Sequence, residues 1–298
     1  MSKNVSVLFN GKRLTKKAAV EMVKNDPTMF YRPMPKKFKE LFPVVTMDLS
    51  HEFGLHYTQK HTGKMAGMFS LSTTCKCNPA CLDRIKSVIK LADKIDNNEH
   101  DTDHEYTKKE LNKLLKDYIK QNPYAKNIPI CWFCFSDSQQ DRQTSMVAPL
   151  AHNYDIINNG IIHKDWIPVI NVLYFRGESF GDFGSENAVI NFFNIAKYNK
   201  NVSFTVWTKN LVFFKKAIEH GYKKPKNFRL VLSSMFINVQ TAIPQNAIGL
   251  VDVVFTVYTR EYADKFNIDI NCGARSCLNC LRCYKDFNGV KIVNEELK

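Results

Sequence analysis

The chain has 298 residues, 44% of them hydrophobic, enough to fill a sizeable core as one large domain or two ordinary ones. No run of about 18 apolar residues occurs, and "MSKNVSVLFNGKRL" has no apolar centre of a signal peptide, which excludes a membrane-spanning protein and leaves a reducing cytoplasm as the expected compartment. The net charge of +13 suits a polyanionic partner, a nucleic acid or nucleotide, although the basic residues are spread through "GKRLTKK", "RPMPKKFKE" and "GYKKPKNFR" rather than gathered in one arm.

In chain order, "VSVLFNGKRLTKKAAVEMVKND" predicts a strand, an Asn10-Gly11 turn and a helix opened by Thr15. "FPVVTMDLSHEFGLHY" predicts a buried strand running into a loop that carries His51, Glu52 and His56. Leu82, Ile85, Val88, Ile89 and Ala92 share one face of a helix over 82–95, and "DNNEHDTDHE" follows as a solvated loop. Thr107 and Glu110 form a capping box ahead of Leu111, Leu114, Leu115, Tyr118 and Ile119, an amphipathic helix ended by Pro123.

From residue 128 onward short apolar runs alternate with helices. "NIPI" reads as a first strand and "WIPVINVLYF" as a buried parallel one, followed by a helix with Ser185 as N-cap. "VSFTVWT" is the next strand, then a helix from Asn210 to Gly221, and "FRLVLSS" and "GLVDVVFTVYT" supply two more strands. The series predicts an α/β fold with a parallel sheet and flanking helices, either an open sheet or an incomplete TIM-barrel-like core. The expected division is an N-terminal α+β appendage over 1–64, an α/β core over 65–270, and a cysteine-rich metal-binding tail over 271–298 packed on the core.

Nine cysteines in a chain of this length, an odd number in a reducing compartment, point to metal or redox chemistry rather than to a disulfide framework. Cys272, Cys277, Cys280 and Cys283 run C-x4-C-x2-C-x2-C in "NCGARSCLNCLRCY", a spacing that lets thiolates in one turn meet a single centre. An iron–sulfur cluster and tetrahedral zinc accept such a set equally. Cys131 and Cys134 form a C-x2-C in "CWFC" at the expected end of the first strand, and Cys75, Cys77 and Cys81 lie about fifty residues earlier. After "VINVLYF" comes "RGESFGDFGS", where Gly177 lets backbone approach a ligand, Glu178 can receive an ammonium group or a ribose hydroxyl, and Arg176 can meet a carboxylate.

Taken in order, "CWFCF", "FRGESFGDFGS", "FTVWTKN" and "INCGARSCLNCLRCY" resemble the phage gene-product-88 family of bacteriophages and bacterial genomes, over about residues 65 to 285. The resemblance implies a cysteine-rich iron–sulfur protein, with a [4Fe-4S] cluster the expected form, in the cytoplasm of a bacterium or phage-infected cell. Its layout is distantly similar to radical SAM enzymes. That second resemblance implies cluster ligands at Cys131 and Cys134, with a third from Cys75, Cys77, Cys81 or the C-terminal group. It further implies S-adenosylmethionine contacts at Arg176, Gly177 and Glu178, and an auxiliary cluster at Cys272, Cys277, Cys280 and Cys283. The expected ligand set is therefore Cys81, Cys131, Cys134 and the four C-terminal cysteines, around two centres or one shared centre. The leading expectation is an iron–sulfur protein, with an enzyme acting on a nucleotide or macromolecule as its catalytic form; the alternative is a zinc-stabilised nucleic-acid-binding or host-interaction protein without catalysis, and a third is a redox sensor.

Overall fold

The computed structural model describes residues 6–9, 12–15, 54–58, 63–76, 78–95, 107–126, 128–162, 164, 167, 169–285 and 289–297. At the N-terminal end, β1 (Ser6–Phe9) and β2 (Lys12–Thr15) pair antiparallel, Ser6 opposite Thr15 and Phe9 opposite Lys12. Thr15 therefore ends a second strand instead of opening a helix, because a two-residue Asn-Gly connection favours turning the chain straight back as a hairpin. The helix expected beyond it, the strand in "FPVVTMDLS", His51, Glu52, Cys77 and the loop over 96–105 lie outside the described residues.

The main sheet has seven strands. β3 (Tyr57–Thr58) is antiparallel to β4 (Phe69–Leu71). Then β4, β5 (Tyr174–Gly177), β6 (Ser203–Thr208), β7 (Phe228–Ser233), β8 (Val253–Tyr258) and β9 (Lys291–Glu296) lie side by side in chain order, all parallel. The helices are α1 (Pro79–Ile95), α2 (Lys108–Gln121), α3 (Phe135–Arg142), α4 (Val147–Asn159), α5 (Glu186–Tyr198), α6 (Leu211–Glu219), α7 (Arg260–Lys265) and α8 (Cys277–Cys280). None of the described helices is long and apolar enough to cross a membrane.

Parallel neighbours joined in chain order wind in one direction, and right-handed crossovers then carry the connecting helices to one face. Strand alternation sends Phe175, Phe204, Val206, Phe228, Leu230, Leu232 and Val254 to that face, where they bury against Val189, Phe192 and Phe193 of α5 and Phe214 and Ala217 of α6. The other face presents Trp207, Val231, Val253, Phe255 and Val293, with Cys272 and Cys283 packed against them. The C-terminal cysteine loop thus covers the face that the helices leave.

Local signals act as their chemistry requires. Thr107 Oγ1 accepts from Glu110 N at 3.3 Å while Glu110 Oε2 accepts from Thr107 N at 2.8 Å, closing the capping box of α2. Ser185 Oγ accepts from Ala188 N and starts α5. The buried stripe of α1 is Val88, Leu91, Ala92 and Ile95, packed on Leu111, Leu114 and Leu115 of α2, whereas Leu82 and Ile89 are exposed.

Two predicted strands differ. "NIPI" makes only a lone antiparallel bridge from Pro129 to Phe236 and runs into a 3-10 turn, Ile130–Phe133, since proline has no N–H to give a ladder. Cys131 and Cys134 therefore do not sit at a strand end. The first parallel strand is β4, three residues long, and its carboxyl end leads into Thr73, Thr74 and Cys75. Among the described residues of "WIPVINVLYF" the strand begins at Tyr174, because β4 offers partners no earlier than Phe175 and β6 none before Tyr174.

Candidate functional site

All eight described cysteines are free thiols, and the fold sorts them into two groups of four. The first lies beyond the carboxyl end of β4. Cys75 follows the strand; Cys81 stands in the first turn of α1; Cys131 is in the 3-10 turn; Cys134 is the N-cap residue of α3. Trp132, between the last two, is buried with Val88, Ala92 and Leu115 and pins the "CWFC" turn to the α1–α2 pair.

Cys75 Sγ accepts from Gln140 Nε2 at 3.2 Å and from Ser136 Oγ at 3.7 Å. Burial pushes its thiol up to about 11, and the nearby Cys134 and Asp137 add to the rise while Ser136 and Lys76 oppose it. Burial also raises Cys81, with Asp182, Cys75 and Cys131 adding to it and Arg84 opposing. Burial raises Cys134 in turn; a hydrogen bond from the Asp137 backbone opposes, Cys131 adds to the rise and Lys209 opposes. The four thiols therefore lie within electrostatic reach of one another, with Arg84, Lys76 and Lys209 as surrounding cations.

The second group sits on the sheet face opposite α5 and α6. The Cys272 amide donates to Asn294 O on β9 at 2.9 Å, Thr205 Oγ1 on β6 donates to Cys283 O at 3.2 Å, and Ser203 Oγ donates to Tyr284 O at 2.7 Å. Cys277 and Cys280 bracket the single turn of α8, closed by Leu281 in the left-handed region at φ 49°. α8 rests on the segment around Gly67, where an added Cβ would meet Leu278 at 2.9 Å. Burial raises Cys272, Cys277 and, up to about 12, Cys283; Lys64 opposes the first two and Arg176 the last two.

Among the described residues, no three His, Cys, Asp or Glu side chains are disposed as ligands of one ion. The fold gathers the thiols but holds neither group as a closed coordination shell. Their donor chemistry nonetheless fits a soft, thiolate-bound centre, four sulfurs to each group.

The "RGE" segment does not act as one motif. Arg176 points to the cysteine-loop face, its guanidinium 3.6 Å from the Trp207 ring centroid and Nη1 3.5 Å from Met65 Sδ. Gly177 points to the helix face, where an added Cβ would meet Phe192 at 2.7 Å as well as Val206. Its glycine is required by packing. Gly177→Ala is expected to lower stability by about 1–3 kcal/mol through overpacking, seen as an earlier urea midpoint.

Glu178 turns back at the end of β5 with φ 53°, a conformation that costs a non-glycine residue about 1–2 kcal/mol and marks a constrained site. It is 3% exposed. Oε2 accepts from Thr73 Oγ1 at 2.9 Å and Thr73 N at 3.1 Å, while Oε1 is buried without a hydrogen-bond partner. Gly181 closes the cradle, since a Cβ there would stand 2.7 Å from Glu178 Oε2. Burial pushes the carboxyl up to about 8 against the two Thr73 bonds, and Asp182 adds to the rise.

Sequence reasoning missed Thr73 and underweighted Cys75; a short strand "FSL" followed by "STTC" was the only signal for both. It grouped Arg176 with Glu178, which contact different neighbours. His56, in the predicted loop, is held at the sheet edge by Asn153, which accepts from its N–H and donates to its carbonyl.

A protein-family model, gene product 88, matches residues 50–293. No curated protein and no solved structure matches the chain. A match over that length, spanning both thiol groups and the Glu178 cradle, places the chain in the gene product 88 family.

Proposed function

We propose that the chain is an iron–sulfur-cluster-binding protein of radical-SAM-like architecture, with one [4Fe-4S] site that takes three thiolates from among Cys75, Cys81, Cys131 and Cys134 and leaves one iron open for S-adenosylmethionine, and a second at Cys272, Cys277, Cys280 and Cys283. The observation that supports this reading is the sorting of eight thiols into two groups, one beyond the carboxyl end of the first parallel strand and one on the uncovered sheet face. Strands wound in one direction with helices on one side suit an incomplete barrel, whose ligands gather at the carboxyl ends of its strands.

Glu178 is the residue that would receive S-adenosylmethionine. Its buried Oε1 lacks a partner, and an arriving ammonium group would supply one and draw the proton off the carboxyl. Thr73 orients the carboxyl through Oε2, and Gly181 leaves room for it. The cluster, when bound, supplies the electron for reductive cleavage of that cofactor; the chain's own residues bind, orient and exclude water. The net charge of +13 suits a nucleotide or nucleic-acid substrate.

Anaerobic purification followed by iron, sulfide and zinc analysis tests the reading. Cys131→Ser with Cys134→Ser, and separately Cys277→Ser with Cys280→Ser, are each expected to remove one cluster's worth of iron and sulfide, and the quadruple variant nearly all. A colourless zinc-loaded wild type would overturn it in favour of a zinc-stabilised protein. Calorimetric titration with S-adenosylmethionine is expected to show binding that Glu178→Gln weakens at least about tenfold, the loss of one charge-assisted hydrogen bond.

A further inference from the structure

The C-terminal thiol group has company that the coordination of a metal does not require. Lys64 Nζ lies 3.5 Å from Cys272 Sγ and 3.1 Å from Cys272 O, and it is salt-bridged to Glu295 Oε1 at 2.5 Å. Glu295 itself stands 4.0 Å from Cys272 Sγ, so the ammonium bridges a carboxylate and a sulfur that would otherwise repel once the thiol ionises. Burial works against the Lys64 charge, yet Glu295 and Cys272 together more than offset that and raise it.

Arg176 approaches from β5. Among the described residues its guanidinium has no carboxylate partner: it stacks on Trp207, touches Met65 Sδ, and keeps a buried Nε–H without an acceptor. Its charge acts on Cys277, Cys283 and Tyr284. Tyr284, directly after the last cysteine, is 3% exposed and packs on Trp207 and Tyr174, and its buried hydroxyl lies beside the Arg176 guanidinium. A buried guanidinium N–H lacking an acceptor and a buried hydroxyl next to it, beside four thiols and a lysine already bonded to one of them, describe a pocket suited to negative sulfur.

We infer that Lys64, Arg176 and Tyr284 are positioning residues that surround the Cys272–Cys283 centre with positive charge and hydrogen-bond donors, stabilising its reduced, more negative form and raising its potential. This rests on the iron–sulfur reading above. In the reduction one electron enters the cluster from an added reductant such as dithionite, no bond to the protein forms or breaks, and the extra negative charge is what the three side chains compensate.

The test is a redox titration of the full-length, cluster-loaded protein followed by electron paramagnetic resonance. The signal to follow is the one that disappears when Cys277 and Cys280 are both replaced by serine. Lys64→Met and Arg176→Gln are each expected to shift the redox equilibrium about tenfold toward the oxidised form, or about 59 mV lower for one electron. Glu295→Gln is expected to move it the opposite way, Lys64→Met with Glu295→Gln to fall between, and Tyr284→Phe to lower it by less. Lys64→Arg and Arg176→Lys keep the charge and should stay near wild type, a pattern that a merely structural role would not produce. Potentials unmoved in Lys64→Met and Arg176→Gln, in protein that holds its iron, would overturn this inference alone. A wild type without iron at this site would instead overturn the reading on which it rests, and with it this inference.

Discussion

Replacing Asp182 by alanine is expected to lower the unfolding free energy by about 3–5 kcal/mol, the range for leaving one partner of a buried ion pair uncompensated. Asp182 is 4% exposed and sits at the carboxyl ends of β5 and β6. It accepts from Arg84 Nη1 at 2.9 Å, Thr208 Oγ1 at 2.6 Å, Phe183 N at 2.9 Å and Lys209 N at 3.1 Å, and its own carbonyl accepts from Asn78 Nδ2 at 2.7 Å. Asn78 in turn precedes α1 and accepts from Ala80 N through its side chain, so Asp182 ties the helix that carries Cys81 to the sheet twice, by its carboxylate on Arg84 and by its carbonyl on Asn78. Removing it leaves three donors without their acceptor and Arg84 with Asn210 Oδ1 in place of its carboxylate. Urea unfolding of Asp182→Ala, Arg84→Met and the double variant checks this: the double variant should be less destabilised than the sum, since it no longer buries a lone guanidinium. A loss below about 1 kcal/mol would show that Arg84 is solvated once unpaired.

Glu178 governs the pH dependence of stability. Its carboxyl is raised from the usual 4.5 to about 8 by burial. The folded chain thus keeps the proton through a range in which the unfolded chain releases it. Its stabilising contribution is full below about pH 4.5 and is lost as pH rises to about 8. At pH 7 the loss is about 3 kcal/mol, taking ~1.4 kcal/mol per pH unit over most of that window. Glu178→Gln does not titrate. Its stability relative to wild type should therefore grow as pH climbs from 5 to 8, about 1 kcal/mol or more per unit at mid-window, measured by urea midpoints across pH. Saturating S-adenosylmethionine should flatten the wild-type profile by giving Oε1 a cationic partner. Parallel profiles for wild type and variant would mean that the carboxylate is already ionised in the fold.

Much of the fold was legible where one element carries its own signal. The Thr107–Glu110 box, the Ser185 cap and the runs that become β6, β7 and β8 each satisfy backbone groups or bury apolar faces locally, so short windows suffice. β4 was not legible: three residues have no period to read, and it is a strand because β3 and β5 flank it. β9 hid inside the cysteine-rich tail, where "KIVNEE" becomes strand only by pairing with β8. "NIPI" misled in the other direction, apolar enough for a strand but with a proline that keeps it out of the ladder.

The sequence by itself determined that the thiols come in clusters, that their donor chemistry suits a soft metal centre, and that a parallel α/β core carries them, because spacing and hydrophobic period are properties of neighbouring residues. Only the tertiary structure decided which cysteines keep company. Cys131 and Cys134 meet Cys75 and Cys81 across some fifty residues, whereas the C-terminal four gather on the sheet face with Trp207 and Val293. It also split Arg176 from Glu178, two residues apart in the chain. Strand alternation points the first at Trp207 and the cysteine loop, and the left-handed turn at the end of β5 folds the second back onto Thr73. Those placements depend on crossovers and on the closure of long loops, whose outcome is fixed by what the whole core can bury and not by any local window.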